Sequence, residues 1–246
     1  MVKKESVVPK IGFEILFEYF NGLIRLITKR ITKPSFSNAK VRSFFSQRSK
    51  VDNFDDFTES TKKWYLNGVD YIITKNNLLN SDSTSEILDL GSGRGGILNL
   101  VNCREGNFNY LGVDFDDIAV SKCNQNYQDK PNIQFQANDV LDFIESCQNS
   151  YDLVFIVNLL PYIEDIDNIF HKLKKNNYKN IIICDPHPSL YWEDSFGGFS
   201  IFIRKPNEMK KALITKSFRT FDEHQLYAFK IFNRYIIRIN TTYFLN

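Results

Sequence analysis

Residues 85–96 read SEILDLGSGRGG, and the rest of the chain is placed by working outward from this stretch. Ile87, Leu88 and Leu90 make a short apolar run of the kind that forms a strand buried on both faces. Gly91, Gly93 and Gly95 then alternate, directly before a segment with helical spacing. Glycines at such a turn let the backbone bend sharply and approach a ligand closely. The run Gly91-Ser92-Gly93-Arg94-Gly95-Gly96 also satisfies the dinucleotide fingerprint, so the glycines alone do not choose the ligand. No Gly-Lys-Ser or Gly-Lys-Thr follows, which excludes a phosphate-cradling P-loop. Asp89 discriminates further. An acid in the last residues of the strand opposes a pyrophosphate seated on the helix N-terminus.

Downstream, short apolar runs alternate with helix-length segments, the pattern of a parallel sheet with crossovers. The runs predict strands at Ile87–Leu90, Tyr110–Asp114, Ile133–Gln136, Leu153–Val157 and Asn180–Cys184, with helices near 95–105, 116–127, 141–148 and 165–176. The C-terminal stretch QLYAFKIFNRYIIRINTTYF contains two β-rich runs joined at Asn233-Arg234, an antiparallel hairpin. The expected architecture is an α/β, Rossmann-like fold: a mainly parallel seven-stranded sheet with an antiparallel C-terminal hairpin.

Upstream, Phe13, Leu16, Phe17, Phe20, Leu23, Ile24 and Ile27 recur near helical spacing. Glu14, Glu18 and Arg25 interrupt any stretch long enough to span a bilayer. This amphipathic helix has three uses open to it: packing on its own domain, pairing with a second copy as a homodimer, or, with Lys29, Arg30 and Lys33, lying on a membrane surface. From Ser35 to Ser81 the chain turns polar and then helical, with Trp64, Tyr65, Val69, Ile72 and Ile73 on one face. Residues 1–80 therefore read as a helical cap or extension before a ligand-binding unit over 81–246. Trp64 and Tyr65 are placed to close over the ligand.

Composition bounds the function. With 246 residues and 43% hydrophobic content the chain buries one sizeable core. Its 31 basic and 29 acidic residues nearly cancel, and no basic stripe is interleaved with aromatics, which argues against a nucleic-acid partner. Cys103, Cys123, Cys147 and Cys184 have no metal-ligand spacing, so no metal is expected, and with no secretory signal a reducing cytoplasm is the expected compartment.

DLGSGRG, with Asp89 before the glycines, resembles the signature turn of class I S-adenosylmethionine (SAM)-dependent methyltransferases. The likeness continues through residues 60–185. It implies that Asp89, Gly91, Ser92 and Gly93 border the cofactor, that Asp114 in YLGVDFDD accepts from both ribose hydroxyls, and that Phe115 packs on adenine. Asn138, Asp139 and Val140 in IQFQANDVLDF would serve the adenine side, and Asn158 in YDLVFIVNLLPYIED the methionine part. SAM carries an ammonium, a sulfonium and no phosphate, which suits Asp89. Helix N-capping is a second use open to both Asp114 and Asp139. Asn158-Leu159-Leu160-Pro161-Tyr162 departs from the Asn-Pro-Pro-Tyr type of motif that clamps a planar amino group in DNA-base and some protein methyltransferases, which points to a small-molecule acceptor.

Methyl transfer from a sulfonium is an in-line displacement, so alignment supplies most of the catalysis and a base is optional. His187 in CDPHPSLYW, beyond the fifth strand, is the best-placed candidate base, with Asp185 to orient it; a solvated, inert loop imidazole is the blander reading. Tyr162, Tyr191, Trp192 and Phe196 read equally as walls of an acceptor pocket and as core. His171 and His224 read as surface residues. Two further functions share the fold: an NAD-dependent oxidoreductase on the same glycines, and a non-catalytic scaffold whose N-terminal helix docks a partner.

Overall fold

The computed structural model describes residues 3–6, 37–50, 59–79 and 83–245, apart from 105, 177, 188–194, 197–198, 201, 203–205 and 232–233. The amphipathic segment around 11–31, with its dimer and membrane readings, lies outside them.

The elements in chain order are β1 (Lys3–Ser6), α1 (Asn38–Lys50), α2 (Glu59–Asn76), β2 (Ser85–Leu90), α3 (Gly96–Asn102), β3 (Phe108–Asp114), α4 (Asp117–Asn126), β4 (Ile133–Ala137), α5 (Val140–Ser146) and β5 (Leu153–Val157). A 3-10 turn (Leu160–Tyr162), α6 (Ile166–Lys175), β6 (Ile181–His187), the small hairpin β7 (Ser195–Phe196) and β8 (Phe199–Ser200), α7 (Pro206–Thr215), β9 (Thr220–Ile231) and β10 (Arg234–Leu245) complete the chain. The sheet order is β1-β9-β10-β6-β5-β2-β3-β4. Strands β2 to β6 run parallel, and β10 is antiparallel to both β6 and β9.

This corrects the expected seven strands to eight, because β1 pairs in parallel with β9 from Lys3 opposite His224 to Ser6 opposite Tyr227. A 12-residue edge strand leaves a row of unpaired backbone groups, and a short N-terminal strand covers part of it. The signal was absent because four polar residues carry no periodicity. His224 accordingly sits inside β9 rather than before the hairpin, and β6 runs three residues past Cys184 to include His187. Helix α7 follows the 186–205 connection, starting at Pro206, which has a φ suited to a first helical position, and burying Met209 and Leu213 one turn apart.

Two apolar layers flank the sheet, and strand alternation assigns residues to them. Leu88, Leu90, Val113, Ile156 and Ile183 face Phe143 and Ile144 of α5, Ile169, Phe170 and Leu173 of α6, and Met209 of α7. Ile87, Tyr110, Phe155, Ile182 and Phe244 face Val69, Ile72 and Ile73 of α2, Leu98 of α3 and Val120 of α4. Asp89 shares the parity of Ile87, so it points to the second layer, toward Tyr110. The order of strands reverses between β2 and β5, and in such sheets ligands sit beyond the carboxyl ends at that switch point.

Candidate active site

The turn after β2 hangs from the end of β3. Gly91 N and Ser92 N both donate to the Val113 carbonyl, at 2.8 and 3.1 Å. Gly91 has φ 77°, and a Cβ there would lie 2.9 Å from Leu159 Cδ1, so only glycine lets β2 and the loop after β5 come this close. Gly93 has φ 51°, and a Cβ there would point into open space. Gly93 also borders a cavity of about 300 Å3.

Asp89, Gly91, Ser92 and Gly93 of the turn line the cavity, together with Asp114 and Phe115 after β3, Val140 after β4, and Asn158 and Tyr162 after β5. The ends of four separate strands thus meet at one cavity. Asp114, 8% exposed, accepts from Gly93 N at 2.8 Å through one oxygen and from Asp116 N at 2.9 Å through the other. A carboxylate has about four acceptor positions, so with the Phe115 amide also nearby Asp114 keeps capacity for a further donor. Burial raises the Asp114 pKa, while the Asp116 and Gly93 amides oppose the rise. Asp114 does not cap α4: Asp116 does, accepting from Ile118 N and Ala119 N.

Asp89 is buried and accepts from the Tyr110 hydroxyl at 2.5 Å. Burial pushes its pKa up to about 7; the Tyr110 hydrogen bond pulls it down and the Asp114 charge adds to the rise. Ser92 Oγ is buried with no hydrogen-bond partner among the described residues. Asn158 adopts φ 53°, a left-handed conformation that asparagine tolerates better than most residues, and its N–H is held by the Cys184 carbonyl at 2.8 Å.

The three adenine-side residues part company. Asp139 caps α5 through Leu141 N at 2.8 Å, and its other oxygen lies 2.6 Å from Arg42 Nη2. Neither Asp139 nor Asn138 lines the cavity, while Val140, beside them, does. Asn138 N instead donates to the Asp114 carbonyl at 2.9 Å, which fixes the end of β4 to the end of β3. His187 closes β6 opposite Ile239, and its imidazole lies outside the described atoms. So do the side chains of Trp64, Tyr65 and Phe196, and the whole of Tyr191 and Trp192. Asp185 is buried at the end of β6, and His171 is exposed on α6.

Sequence reasoning missed the contribution of α1. Phe45 and Ser49 line the cavity, with Leu66 of α2 and Ile97 of α3. Their only sequence signal was Arg42, Phe45 and Ser49 at spacings of three and four, which places them on one helix face without saying what the face covers.

The donor set suits the inferred cofactor. Two carboxylates in the wall would suit a cation and a diol, an orphaned hydroxyl and a Cβ-free backbone leave polar contacts to be made, and Phe115, Val140 and Ile97 supply apolar faces. Among the described residues no group of acidic, His or Cys side chains is arranged to hold a metal, and no helix is long and apolar enough to cross a membrane.

The model of a methyltransferase-domain family matches residues 81–219. A release factor glutamine methyltransferase of Flavobacterium psychrophilum is 28% identical over 142 residues, covering 57% of this chain and 46% of that protein. The chain thus spans about half the length of this curated relative. A SAM-dependent methyltransferase from Leishmania major superposes with a TM-score of 0.64 at 15% identity, over 85% of this chain and 82% of that one. One from Clostridium acetobutylicum gives 0.56 at 15% identity, over 79% and 99%. The match covers the cavity-bearing strand ends from β2 to β5, and the chain belongs to the class I, Rossmann-like SAM-dependent methyltransferases, a family of enzymes.

Proposed function

We propose that this chain binds SAM in the cavity beyond β2 and β5 and transfers its methyl group to oxygen or nitrogen of a small metabolite. The observation that carries the reading is Asp114: a buried carboxylate, braced by two backbone N–H groups, with acceptor capacity left on the cavity side. When bound, SAM supplies an electrophilic methyl on a positively charged sulfur. The protein's part is alignment and electrostatics. Asp114 would take the ribose hydroxyls, Phe115 and Val140 the adenine faces, and Asp89 and Asn158 the amino-acid end. Ionised Asp89 is stabilised by a cation beside it, and the cation by Asp89. Leu66, Phe45 and Tyr162 exclude water, which strengthens each of these contacts.

Asp89 in the wall argues against a nicotinamide dinucleotide, whose pyrophosphate it would repel. Asp139 stays a candidate for the adenine amine in a second rotamer, since its carboxylate is part-exposed. His187 and Asp185, in the last residues of β6, remain the candidate base and its orienting partner, Tyr162 the candidate acceptor wall, and Tyr191 and Trp192 its candidate extension. Residues 1–80 are read as a cap on the unit from 81 onward.

A protein acceptor is the second reading, favoured by the likeness to a release factor glutamine methyltransferase. The stretch Asn158-Leu159-Leu160-Pro161-Tyr162, with no proline pair, weighs against it. Titration with S-adenosylhomocysteine should give heat in a calorimeter; none would overturn the cofactor reading. Incubation with methyl-labelled SAM and a cell extract should then put label in the small-molecule fraction, and label confined to protein would move the acceptor to the second reading.

A further inference from the structure

Helix α1 lies outside the stretch that carries the family likeness, yet it is tied to the turns after β2, β3, β4 and β5 and to Lys122 of α4. Arg42, Phe45 and Ser49 share one face. Arg42 Nη2 sits 2.6 Å from Asp139 Oδ2, after β4, and its guanidinium carbon 5.3 Å from the Phe115 ring centroid, after β3. The Phe45 ring meets Phe115 edge-on at 6.2 Å and Tyr162 edge-on at 5.1 Å, bridging the β3 and β5 ends over the cavity it lines. Ser49 Oγ donates to Asp116 Oδ2 at 2.5 Å, and its carbonyl accepts from Arg94 Nη2 at 2.9 Å and Lys122 Nζ at 3.0 Å. The last carbonyls of a helix carry partial negative charge, so two cations there anchor its C-terminal end.

The two ends differ in kind. The Ser49 end is a buried, multiply bonded anchor. At the other end Arg42 adds to its stacking on Phe115 an ion pair whose side chains are 50% and 36% exposed, a contact that water and salt loosen readily. Among the described residues, Phe45 sits between an end tied by buried bonds and an end whose ion pair faces solvent.

We propose that α1 is the closing wall of the active site: Phe45 is a binding residue that touches the bound cofactor, and Arg42 is a positioning residue that latches the wall shut through Asp139. The inference rests on the cavity being the SAM site. It assigns Asp139 to the latch, and it makes the rate of cofactor release sensitive to an exposed ion pair.

The test is the dissociation rate of S-adenosylhomocysteine from the immobilised full chain, measured by surface plasmon resonance. Arg42→Ala and Asp139→Asn, the latter keeping a capping side chain, should each speed release about two- to fivefold, the range of an exposed ion pair. The double variant should be no faster than either. Raising NaCl from about 50 mM to about 500 mM should speed wild-type release and leave Arg42→Ala unchanged. Phe45→Ala should speed release further while leaving the melting temperature within a few degrees. Release that ignores Arg42→Ala and salt overturns the latch. A loss of affinity on Asp139→Asn that persists undiminished with Arg42→Ala also overturns it, and returns Asp139 to the adenine. Absence of any binding by the wild type overturns the cofactor reading itself, and this inference with it.

Discussion

Asp89 should make cofactor binding pH-dependent, with a sign set by its burial. Its pKa is pushed up to about 7, chiefly by desolvation, so near neutral pH the ligand-free protein carries a mixture of neutral and ionised Asp89. A ligand bearing an ammonium or sulfonium selects the ionised form. Between pH 8 and pH 6 the ionised fraction falls from about nine-tenths to about one-tenth, so affinity for S-adenosylhomocysteine should drop about tenfold, or ~1.4 kcal/mol. At pH 6 each ligand bound should release close to one proton, read by calorimetry in buffers of different ionisation enthalpy. Asp89→Asn should flatten the slope and, by losing a charge-assisted contact of about 1.5–3 kcal/mol, weaken binding roughly 10- to 150-fold at pH 8. Methylthioadenosine, which keeps the nucleoside and lacks the ammonium, should bind with little pH dependence. Wild-type affinity that is level from pH 6 to 8, or a slope surviving in Asp89→Asn, would refute the assignment of Asp89 to the cationic end.

The same shift has an opposite effect on the empty protein. The native pKa of Asp89 lies above its unfolded value near 3.8, so the native state binds more protons. This contribution to stability is fully present below about pH 4 and is lost as pH rises through about 7. A shift of some three units is on the order of 4 kcal/mol. Asp89→Asn should therefore melt higher than wild type at pH 8 while binding cofactor worse, the signature of a residue retained for function at a cost in stability.

Four further substitutions test the site. Tyr110→Phe removes a hydrogen bond that lowers the Asp89 pKa, so the midpoint of the pH-dependent binding should move up; an unmoved or lowered midpoint would break the link between the two side chains. Asp114→Asn should cost S-adenosylhomocysteine at least about 100-fold in affinity, two charge-assisted contacts being at stake, and a 2′-deoxyribose analogue should lose affinity on wild type only. Gly91→Ala and Gly93→Ala, both at positive φ, should separate fold from function: with its Cβ against Leu159, Gly91→Ala should lose about 1–3 kcal/mol by denaturant unfolding. Gly93→Ala should lose about 1 kcal/mol and most of its ligand binding; equal effects of the two would contradict the geometry.

The parallel core was legible because its signals are local. Leu153–Val157 is a five-residue apolar run in the sequence and a strand with the same bounds in the structure, and Asp89, Asp114 and Val140 reach the cavity because each stands at the end of such a run. Asp139 was less legible, since a carboxylate just before a helix has two competing partners, the helix amides and a ligand, and sequence does not say which is nearer. In the structure the helix takes one oxygen and Arg42, 97 residues earlier, takes the other. Strand β1 and helix α1 were illegible for a common reason. Their partners are distant in the chain, and neither has an apolar stripe strong enough to announce a buried face.

That illegibility bears on how the site works. The residues of the glycine turn and of β3 are held by backbone hydrogen bonds and by burial on both faces of the sheet, so they are preformed and rigid. Gly91 and Ser92 hang from Val113, and Asn138 ties β4 to Asp114. The covering wall is held instead by side chains: Arg42, Phe45 and Ser49. Backbone contacts of this kind open only with the sheet, whereas an exposed ion pair and one aromatic ring open at far lower cost. A cofactor that must enter and leave at every turnover needs a rigid floor to be aligned upon and a wall that yields. The division of labour between β2–β3 and α1 supplies both, with Asp116 and Arg94, which belong to the floor, serving as the fixed end about which the wall moves.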